Sequence, residues 1–113
     1  MAQPSRGEVW MVDLNPIGGH EQGGRRLGLV ISVDPFNQGS AGLVVMIHIT
    51  PAARGIPFHV EVDPPEGGVR KRSFIKCEDL RSVSTERLWR RVGKVSPKTL
   101  MEVEDRLRIL LNL

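Results

Sequence analysis

The sequence predicts a mainly β protein with helices, an α+β fold in which a small antiparallel barrel carries a C-terminal helix. Short strand-like segments are separated by Gly, Pro, Asn and Asp at spacings typical of such barrels. The last segment has instead the apolar period of an amphipathic helix. The 113 residues contain no repeats, linkers or low-complexity tracts, so we expect one domain spanning 1–113.

Each strand-like segment predicts one strand of the sheet. These segments are 7–14, 28–33, 42–50, 57–63, 73–79 and 92–95. The fourth alternates apolar and polar residues from Phe58 onward, which is typical of a strand with one buried face. The third, 42–50, is apolar on both faces, which indicates a central strand or one covered by a partner subunit.

Two segments predict helices. The first is short, covers 84–91 and begins at Ser84. The second covers 97–111, with Ser96 as N-cap and Pro97 at the first helical position. The apolar stripe of this second helix consists of Leu100, Val103, Leu107, Leu110 and Leu111.

The charge of the chain favours an anionic partner. The formal net charge is +3 and the pI is near 9.6. Most of the basic residues are arginines, which suit bidentate phosphate contacts and stacking on bases. With three Phe, two Trp and no Tyr, stacking platforms are sparse, so we expect recognition to rest on hydrogen bonds and arginine planes.

Cysteine content and hydropathy exclude other classes. Cys77 is the sole cysteine, so an internal disulfide and a thiolate metal cluster are excluded, and we expect it to be a small apolar residue in a strand. No apolar run approaches the roughly 20 residues that span a membrane. The first residues lack the apolar segment of a signal peptide, so we expect a cytoplasmic protein without membrane association.

The segment 18–26 is the richest in polar function. It places an imidazole, a carboxylate, an amide and two guanidiniums among four glycines, between two strand-like segments. Such a loop lets backbone and side chains approach a ligand closely. Arg25 and Arg26 enter the next strand, where a guanidinium can be held in fixed geometry for phosphate. The alternative is an ordinary hairpin loop with solvated charges, in which Arg26 pairs with Glu21.

Several short motifs occur together in a fixed order. They lie at 6–10, 19–22, 25–26, 49–50 and 57–60. Together they resemble the MazF/PemK family of toxin endoribonucleases, over 6–113. The resemblance implies an SH3-like antiparallel barrel with a C-terminal helix, as in the MazF and CcdB toxins. It also implies a homodimer whose two-fold axis creates a groove lined by loops of both subunits.

The resemblance further implies a sequence-selective endoribonuclease that acts on single-stranded RNA. Such a toxin is neutralised by a cognate antitoxin, which wraps an acidic, partly disordered tail over the dimer. The simplest metal-free cleavage uses the ribose 2′-hydroxyl as nucleophile and leaves a 2′,3′-cyclic phosphate and a 5′-hydroxyl. Because the sequence has no dense Asp/Glu/His cluster spaced for magnesium, we expect no metal or other cofactor.

Three residues, Arg26, Thr50 and His20, are candidates for the chemistry. By the resemblance, Arg26 stabilises the charged phosphorane and the Thr50 hydroxyl donates to a non-bridging oxygen. Arg25 would be a neighbouring phosphate contact. His20 is a candidate proton carrier, because a neutral guanidine is scarce near pH 7 whereas an imidazole titrates there.

Further residues are candidates for RNA binding. Glu21 and Gln22 lie in the same loop, and Arg54 would contact the backbone on the other flank. Lys76 and Glu78 occupy a strand in which some family members have an Arg-x-Asp motif. In those members the arginine and the aspartate are given acid/base roles, so the resemblance makes Lys76 and Glu78 candidates here. Positions 76 and 78 of a strand face the same way, so both would point into one groove. Alternatively, and with equal weight, Lys76 and Glu78 take part in a cross-strand ion pair. The identity of the general base stays open.

The basic tract 69–73, on a loop leading into that strand, would steer RNA electrostatically or form a solvated hairpin tip.

Two other functions stay open, one because the chain departs from the family pattern and one because the CcdB toxins share the barrel. Many relatives have proline directly after the loop arginine, whereas Leu27 and Gly28 follow Arg26 here. Without the fixed φ of proline, Arg26 would be held less rigidly. One alternative is therefore a weakened member that binds RNA or a partner. The other is a CcdB-type toxin that binds gyrase and has no nuclease activity. The Glu-Gln…Arg loop argues against this alternative, because it resembles the ribonuclease branch.

Overall fold

A computed structural model describes residues 3–14 and 24–113. Its strands and helices, in chain order, are β1 (Glu8–Asp13), β2 (Arg25–Val30), α1 (Asp34–Asn37), β3 (Leu43–Thr50), β4 (His59–Val62), β5 (Ser73–Ser84), β6 (Leu88–Lys94) and α2 (Pro97–Leu111). Two 3₁₀ turns, Glu66–Gly68 and Thr85–Arg87, precede β5 and β6 respectively. Among the described residues, no helix is long and apolar enough to cross a membrane.

The six strands form one antiparallel sheet in the order β4-β5-β3-β2-β1-β6. β3 lies at the centre of the sheet, between β2 and β5. Ile47 and Ile49 of β3 are buried on one face, and Val44 and Met46 are buried on the other. The prediction of a central strand over 42–50 is therefore confirmed.

Each face of the sheet carries an apolar cluster. The main core, on the face covered by α2, includes Val9, Leu29, Ile47, Val60, Ile75 and Val103. The second cluster, on the opposite face, includes Trp10, Val12, Val30, Val44, Met46 and Leu88. The alternation of segment 57–63 is confirmed, because Val60 and Val62 are buried in the main core.

The α+β class is confirmed, but the sheet is not a closed barrel. Within the described residues, the edge strands β4 and β6 do not pair. The turn Glu66–Gly68 packs against β6 instead, so closely that a Cβ at Gly93 would lie 2.5 Å from the carbonyl carbon of Gly67. Glycine at 93 therefore lets the turn lie directly on the edge strand and cover it without strand pairing.

The predicted helix over 84–91 is wrong. Ser84 caps the 3₁₀ turn Thr85–Arg87, accepting a hydrogen bond from the Glu86 N–H at 3.3 Å, and β6 begins at Leu88. Arg, Leu and Glu favour a helix locally. Here pairing with β1 overrides that preference, because it places Leu88 opposite Val12 in the second cluster.

The C-terminal helix α2 begins as predicted. The Ser96 hydroxyl accepts a hydrogen bond from the Thr99 N–H at 3.2 Å, and Pro97 occupies the first turn. Glu66 Oε2 also accepts the Ser96 N–H at 2.9 Å, which ties this helix start to the turn against β6. Of the predicted stripe, the N-terminal part packs on the core, whereas Leu110 and Leu111 are exposed.

Candidate functional site

A cavity of about 640 Å³ opens where β2 begins and β3 ends. Its floor is apolar and includes Leu27 and Ile49, which pair across the two strands. Its rim is basic and polar, and includes Arg25, Arg26, His48, Thr50, Arg70, Lys71, Ser73 and Arg90. Arg26 and Thr50 each lie one residue beyond the Leu27–Ile49 pair, so adjacent strands carry both to one cavity.

Arg26 presents an accessible guanidinium. Its Nη1 donates to the Arg25 carbonyl at 3.1 Å, and within 3–14 and 24–113 it forms no ion pair. The side chain passes close to Gly24, where an added Cβ would lie 3.5 Å from Nη1. Leu27, in place of proline, pairs with Ile49 and packs against the main core. Strand pairing therefore anchors the backbone next to Arg26.

The Thr50 hydroxyl donates no hydrogen bond within the described residues. Oγ1 accepts a hydrogen bond from the Ala52 N–H at 3.2 Å, and no acceptor for the hydroxyl proton occurs in the described part of the chain. The backbone contact fixes the oxygen, and the O–H can turn toward a ligand in the cavity. Thr50 is therefore arranged as a donor.

His48 was missed by the sequence analysis. It pairs with Gly28 on β2, and its ring lines the cavity together with Arg26. It also lines a second cavity of about 480 Å³, to which Arg26 contributes as well. Burial lowers the pKa of His48; nearby Lys76 and Arg26 lower it too, and the opposing charge of Asp79 only partly offsets them.

A bulge in β5 brings Asp79 to His48. Ile47 pairs with Leu80 and Ile49 pairs with Ile75, so β5 has extra residues opposite His48. The bulge places Asp79 Oδ2 3.4 Å from His48 Nδ1. No sequence signal marked this contact, because a bulge depends on pairing between distant segments.

The structure does not bring all the predicted RNA-binding residues to the cavity. Arg54 is exposed on the segment after β3, and it does not line the cavity. Lys76 Nζ lies 3.9 Å from Asp79 Oδ2, and Glu78 Oε2 lies 2.7 Å from His59 Nε2 across β4 and β5. The cross-strand partner of Glu78 is thus a histidine. Neither Lys76 nor Glu78 lines the cavity.

The Glu78 carboxylate is stabilised in its charged form. Its burial raises the pKa, but the hydrogen bond from His59, with further help from the Glu78 backbone N–H and the charge of Lys76, outweighs burial and lowers it. The His59 side chain is 3% exposed, and its Nδ1 has no hydrogen-bond partner in the described structure. This pair joins the outer face of β4 to β5.

Three predicted site residues, His20, Glu21 and Gln22, lie outside the described residues. In the described ranges, no three His, Cys, Asp or Glu side chains are grouped so as to hold a metal ion. Cys77 is buried in the main core, as predicted, and burial raises the pKa of its thiol to about 11. A buried, protonated thiol of this kind is unreactive.

Comparison with known proteins identifies the class. Residues 5–111 match the family described as PemK-like, MazF-like toxin of type II toxin-antitoxin system. The chain belongs to this toxin family, as the motif resemblance predicted. It is 33% identical over 113 residues to Endoribonuclease MazF9 of Mycobacterium tuberculosis, covering 96% of each chain. It is 34% identical to Endoribonuclease EndoA of Bacillus subtilis over 109 residues, covering 96% of this chain and 94% of the relative.

Solved structures show the same architecture. A MazE-MazF crystal structure from Deinococcus radiodurans superposes with a TM-score of 0.84 at 32% identity, covering 100% of this chain and 99% of that one. This chain therefore has the fold of the MazF toxins.

Proposed function

We propose that this chain is an endoribonuclease toxin that cuts single-stranded RNA at a phosphate held between Arg26 and Thr50. The observation that supports the proposal most directly is the shared cavity. It is lined by the Arg26 guanidinium and the Thr50 hydroxyl, and both have N–H or O–H donors that no acceptor of the described residues uses. Family membership supports it, because two relatives of nearly equal length are named endoribonucleases. Those names also favour a nuclease over a CcdB-type gyrase-binding toxin.

The proposed reaction is internal transesterification. The 2′-oxygen forms a bond to the adjacent phosphorus, and the bond from phosphorus to the 5′-oxygen breaks. The products are a 2′,3′-cyclic phosphate and a 5′-hydroxyl. Negative charge accumulates on the non-bridging oxygens of the phosphorane, where Arg26 N–H groups and the Thr50 O–H donate.

The reaction needs a base for the 2′-hydroxyl proton and an acid for the leaving 5′-oxygen. His20 remains a candidate from the family loop. His48 is a second candidate, because it lines the cavity and its lowered pKa keeps it neutral near pH 7. Asp79 faces Nδ1, which favours a proton there and leaves Nε2 as the acceptor.

The surrounding cations suit a polyanion. Arg25, Arg70, Lys71 and Arg90 line the same cavity as Arg26. Their positive charge would hold the RNA backbone without reading sequence. In this proposal the basic tract 69–73 steers RNA, which is one of the two alternatives that the sequence leaves open.

We propose an antitoxin as the macromolecular partner. The family is described as toxins of toxin-antitoxin systems, and a MazE-MazF structure has the same fold. An acidic, disordered tail would compete with RNA for the basic groups of the cavity. We further propose a homodimer with a groove between subunits and a cytoplasmic location, where the RNA substrate is found.

The first experiment incubates the purified protein with long single-stranded RNA in excess EDTA, and maps the new 5′ ends. We expect defined cuts with 5′-hydroxyl ends. A single 2′-deoxyribose on the 5′ side of a mapped cut should then abolish that cut, because the nucleophile is gone. The matched control carries the deoxyribose two nucleotides away and should be cut as before.

Three results would overturn the proposal. Cleavage that continues at a deoxyribose position would reject the 2′-hydroxyl mechanism. Intact RNA together with gyrase-linked DNA breaks would establish the CcdB-type alternative. RNA binding without cleavage, unchanged by Arg26→Ala, would establish the weakened member.

A further inference from the structure

Trp89 lies on the edge strand β6, and about half of its surface is exposed to solvent. Its residue is 51% exposed, whereas the other tryptophan, Trp10, is 8% exposed and donates its indole N–H to Glu8 Oε1 at 3.0 Å. Trp10 therefore serves the second cluster. Trp89 belongs to neither apolar cluster of the described residues. Tryptophan is enriched at binding interfaces, and the exposed part of this ring is available to a partner.

Two guanidiniums lie over or beside the Trp89 ring. The guanidinium carbon of Arg25 is 3.7 Å from the ring centroid, and that of Arg90 is 5.4 Å away. In the described ranges, neither arginine forms an ion pair. Arg91, by contrast, is engaged by Glu8 at 2.8 Å. The ring thus orders two charges that no carboxylate of the described residues compensates.

The same two arginines connect Trp89 to the proposed site. Arg25 and Arg90 both line the cavity that contains Arg26 and Thr50. A strand of RNA with one phosphate at Arg26 would therefore pass Arg25 and Arg90 and reach the ring. The combination of an aromatic face with a basic track to the site is the arrangement that binds unpaired nucleotides.

We propose that Trp89 is a stacking platform for an unpaired base next to the scissile nucleotide. The inference rests on the proposed ribonuclease function. The base stacks on the exposed part of the ring, and Arg25 and Arg90 contact the phosphates on either side of it. Because every base has a π face, this contact adds affinity and a demand for single strands, and it adds little sequence selectivity.

Binding is measured with a mixed-sequence RNA in which every 2′-oxygen is methylated, so that no cleavage occurs. We expect this RNA to quench the fluorescence of Trp89. Trp89→Ala should weaken its Kd about tenfold or more, the size of a lost base stack, whereas Trp89→Phe should bind within about threefold of wild type without the quenching. Phe36→Ala, at an exposed aromatic away from the cavity, is the matched control and should bind as wild type.

Cleavage kinetics separate stacking from a structural role. With cleavable RNA, Trp89→Ala should raise KM about tenfold and leave kcat near the wild-type value, because the ring does not touch the reacting atoms. Trp89→Thr retains a residue suited to a strand and should behave like Trp89→Ala if the ring itself matters. Duplex RNA should bind weakly and without sensitivity to either change.

Wild-type affinity in both Trp89→Ala and Trp89→Thr would overturn the inference. So would unchanged fluorescence on RNA binding. If the variants alter the oligomeric state on a sizing column and bind RNA normally, the ring contacts a second copy of this chain instead. Failure of the wild type to bind or cut any RNA would reject the proposed function itself, whereas an equal kcat/KM for wild type and Trp89→Ala rejects stacking alone.

Discussion

Arg26 and Thr50 line one cavity from adjacent antiparallel strands, each one residue beyond the Leu27–Ile49 pair. Residues that face each other at the ends of paired strands have Cβ atoms about 5 Å apart, which is close enough for both side chains to contact one phosphate. The rigid ladder between β2 and β3 thus fixes the relative position of a charged and a neutral donor. This relationship makes the two residues testable as one unit.

Removal of either donor should slow RNA cleavage severely. Arg26→Ala and Thr50→Val should each lower kcat roughly a hundredfold or more, since each removes a donor to charge that develops in the transition state. Thr50→Ser keeps the hydroxyl and should keep most of the activity. The measurement is single-turnover cleavage of one mapped RNA, with circular dichroism to verify folding.

Arg108→Ala provides the matched control for Arg26→Ala, because Arg108 is an exposed arginine of α2 outside the cavity. It should cleave at the wild-type rate. Near-wild-type rates in both Arg26→Ala and Thr50→Val would remove the two residues from the catalytic site.

The sequence predicted the strands whose burial pattern is local. The alternation that begins at Phe58 and the two apolar faces of 42–50 gave β4 and β3 correctly. It also placed α2, because Ser96 and Pro97 form a start signal that needs no other segment. The helix prediction for segment 84–91 was wrong because its residues favour a helix locally, whereas pairing with β1 decides its conformation.

The candidate site was predictable only where a motif marked it. Arg26 and Thr50 stood out through the family pattern, and the structure places them together. His48 had no such mark, since a histidine inside an apolar strand reads as a core residue. Its contact with Asp79 depends on a bulge between distant segments, and its lowered pKa depends on burial. Neither property can be read from neighbouring residues.

The acid side of the pH–rate profile should report His48. If neutral His48 accepts the proton, activity falls as pH decreases through the pKa of this histidine. Asp79→Asn removes a charge that raises this pKa, so the fall should move to lower pH. Lys76→Met removes a charge that lowers the pKa, so the fall should move to higher pH.

The measurement is kcat/KM from about pH 5 to pH 9 for both variants at constant ionic strength. Opposite displacements of the acid limb would assign it to His48. A profile that neither substitution moves would assign proton transfer to another group, of which His20 is the family candidate. If His48 carries the acid limb, His48→Ala should remove it. If another group carries it, the limb should persist in this variant.

The Cys77 thiol should resist modification in the folded protein. It is fully buried, and burial raises its pKa to about 11, so the reactive thiolate is scarce near neutral pH. Labelling with a thiol-reactive disulfide at about pH 8 should be orders of magnitude slower in the native state than in denaturant. Rapid labelling of the native protein, at a rate equal to that of the unfolded chain, would show that β5 opens locally.

The contact between Glu66 and the start of α2 should make stability depend on pH. Burial raises the pKa of the Glu66 carboxyl, but hydrogen bonds from Thr99 and Ser96 outweigh it and lower the pKa below its usual value. A carboxyl with a lowered folded-state pKa stabilises the fold above its unfolded pKa, and this contribution is lost as pH falls through the folded value. Glu66→Gln should therefore lower the free energy of unfolding by about 1 kcal/mol near pH 7, the size of one such hydrogen bond.

The measurement is urea unfolding of wild type and Glu66→Gln at several pH values. The difference between the two proteins should shrink as pH falls through the lowered pKa of the wild-type Glu66 carboxyl, because that carboxyl then becomes protonated. Glu102→Gln is the matched control on α2, because the Glu102 carboxylate has no hydrogen-bond or ion-pair partner in the described ranges. Its effect should be near zero at each pH. A Glu66→Gln difference that stays constant from pH 7 to pH 3 would mean that packing of the side chain, and not its charge, holds the turn Glu66–Gly68 to the helix.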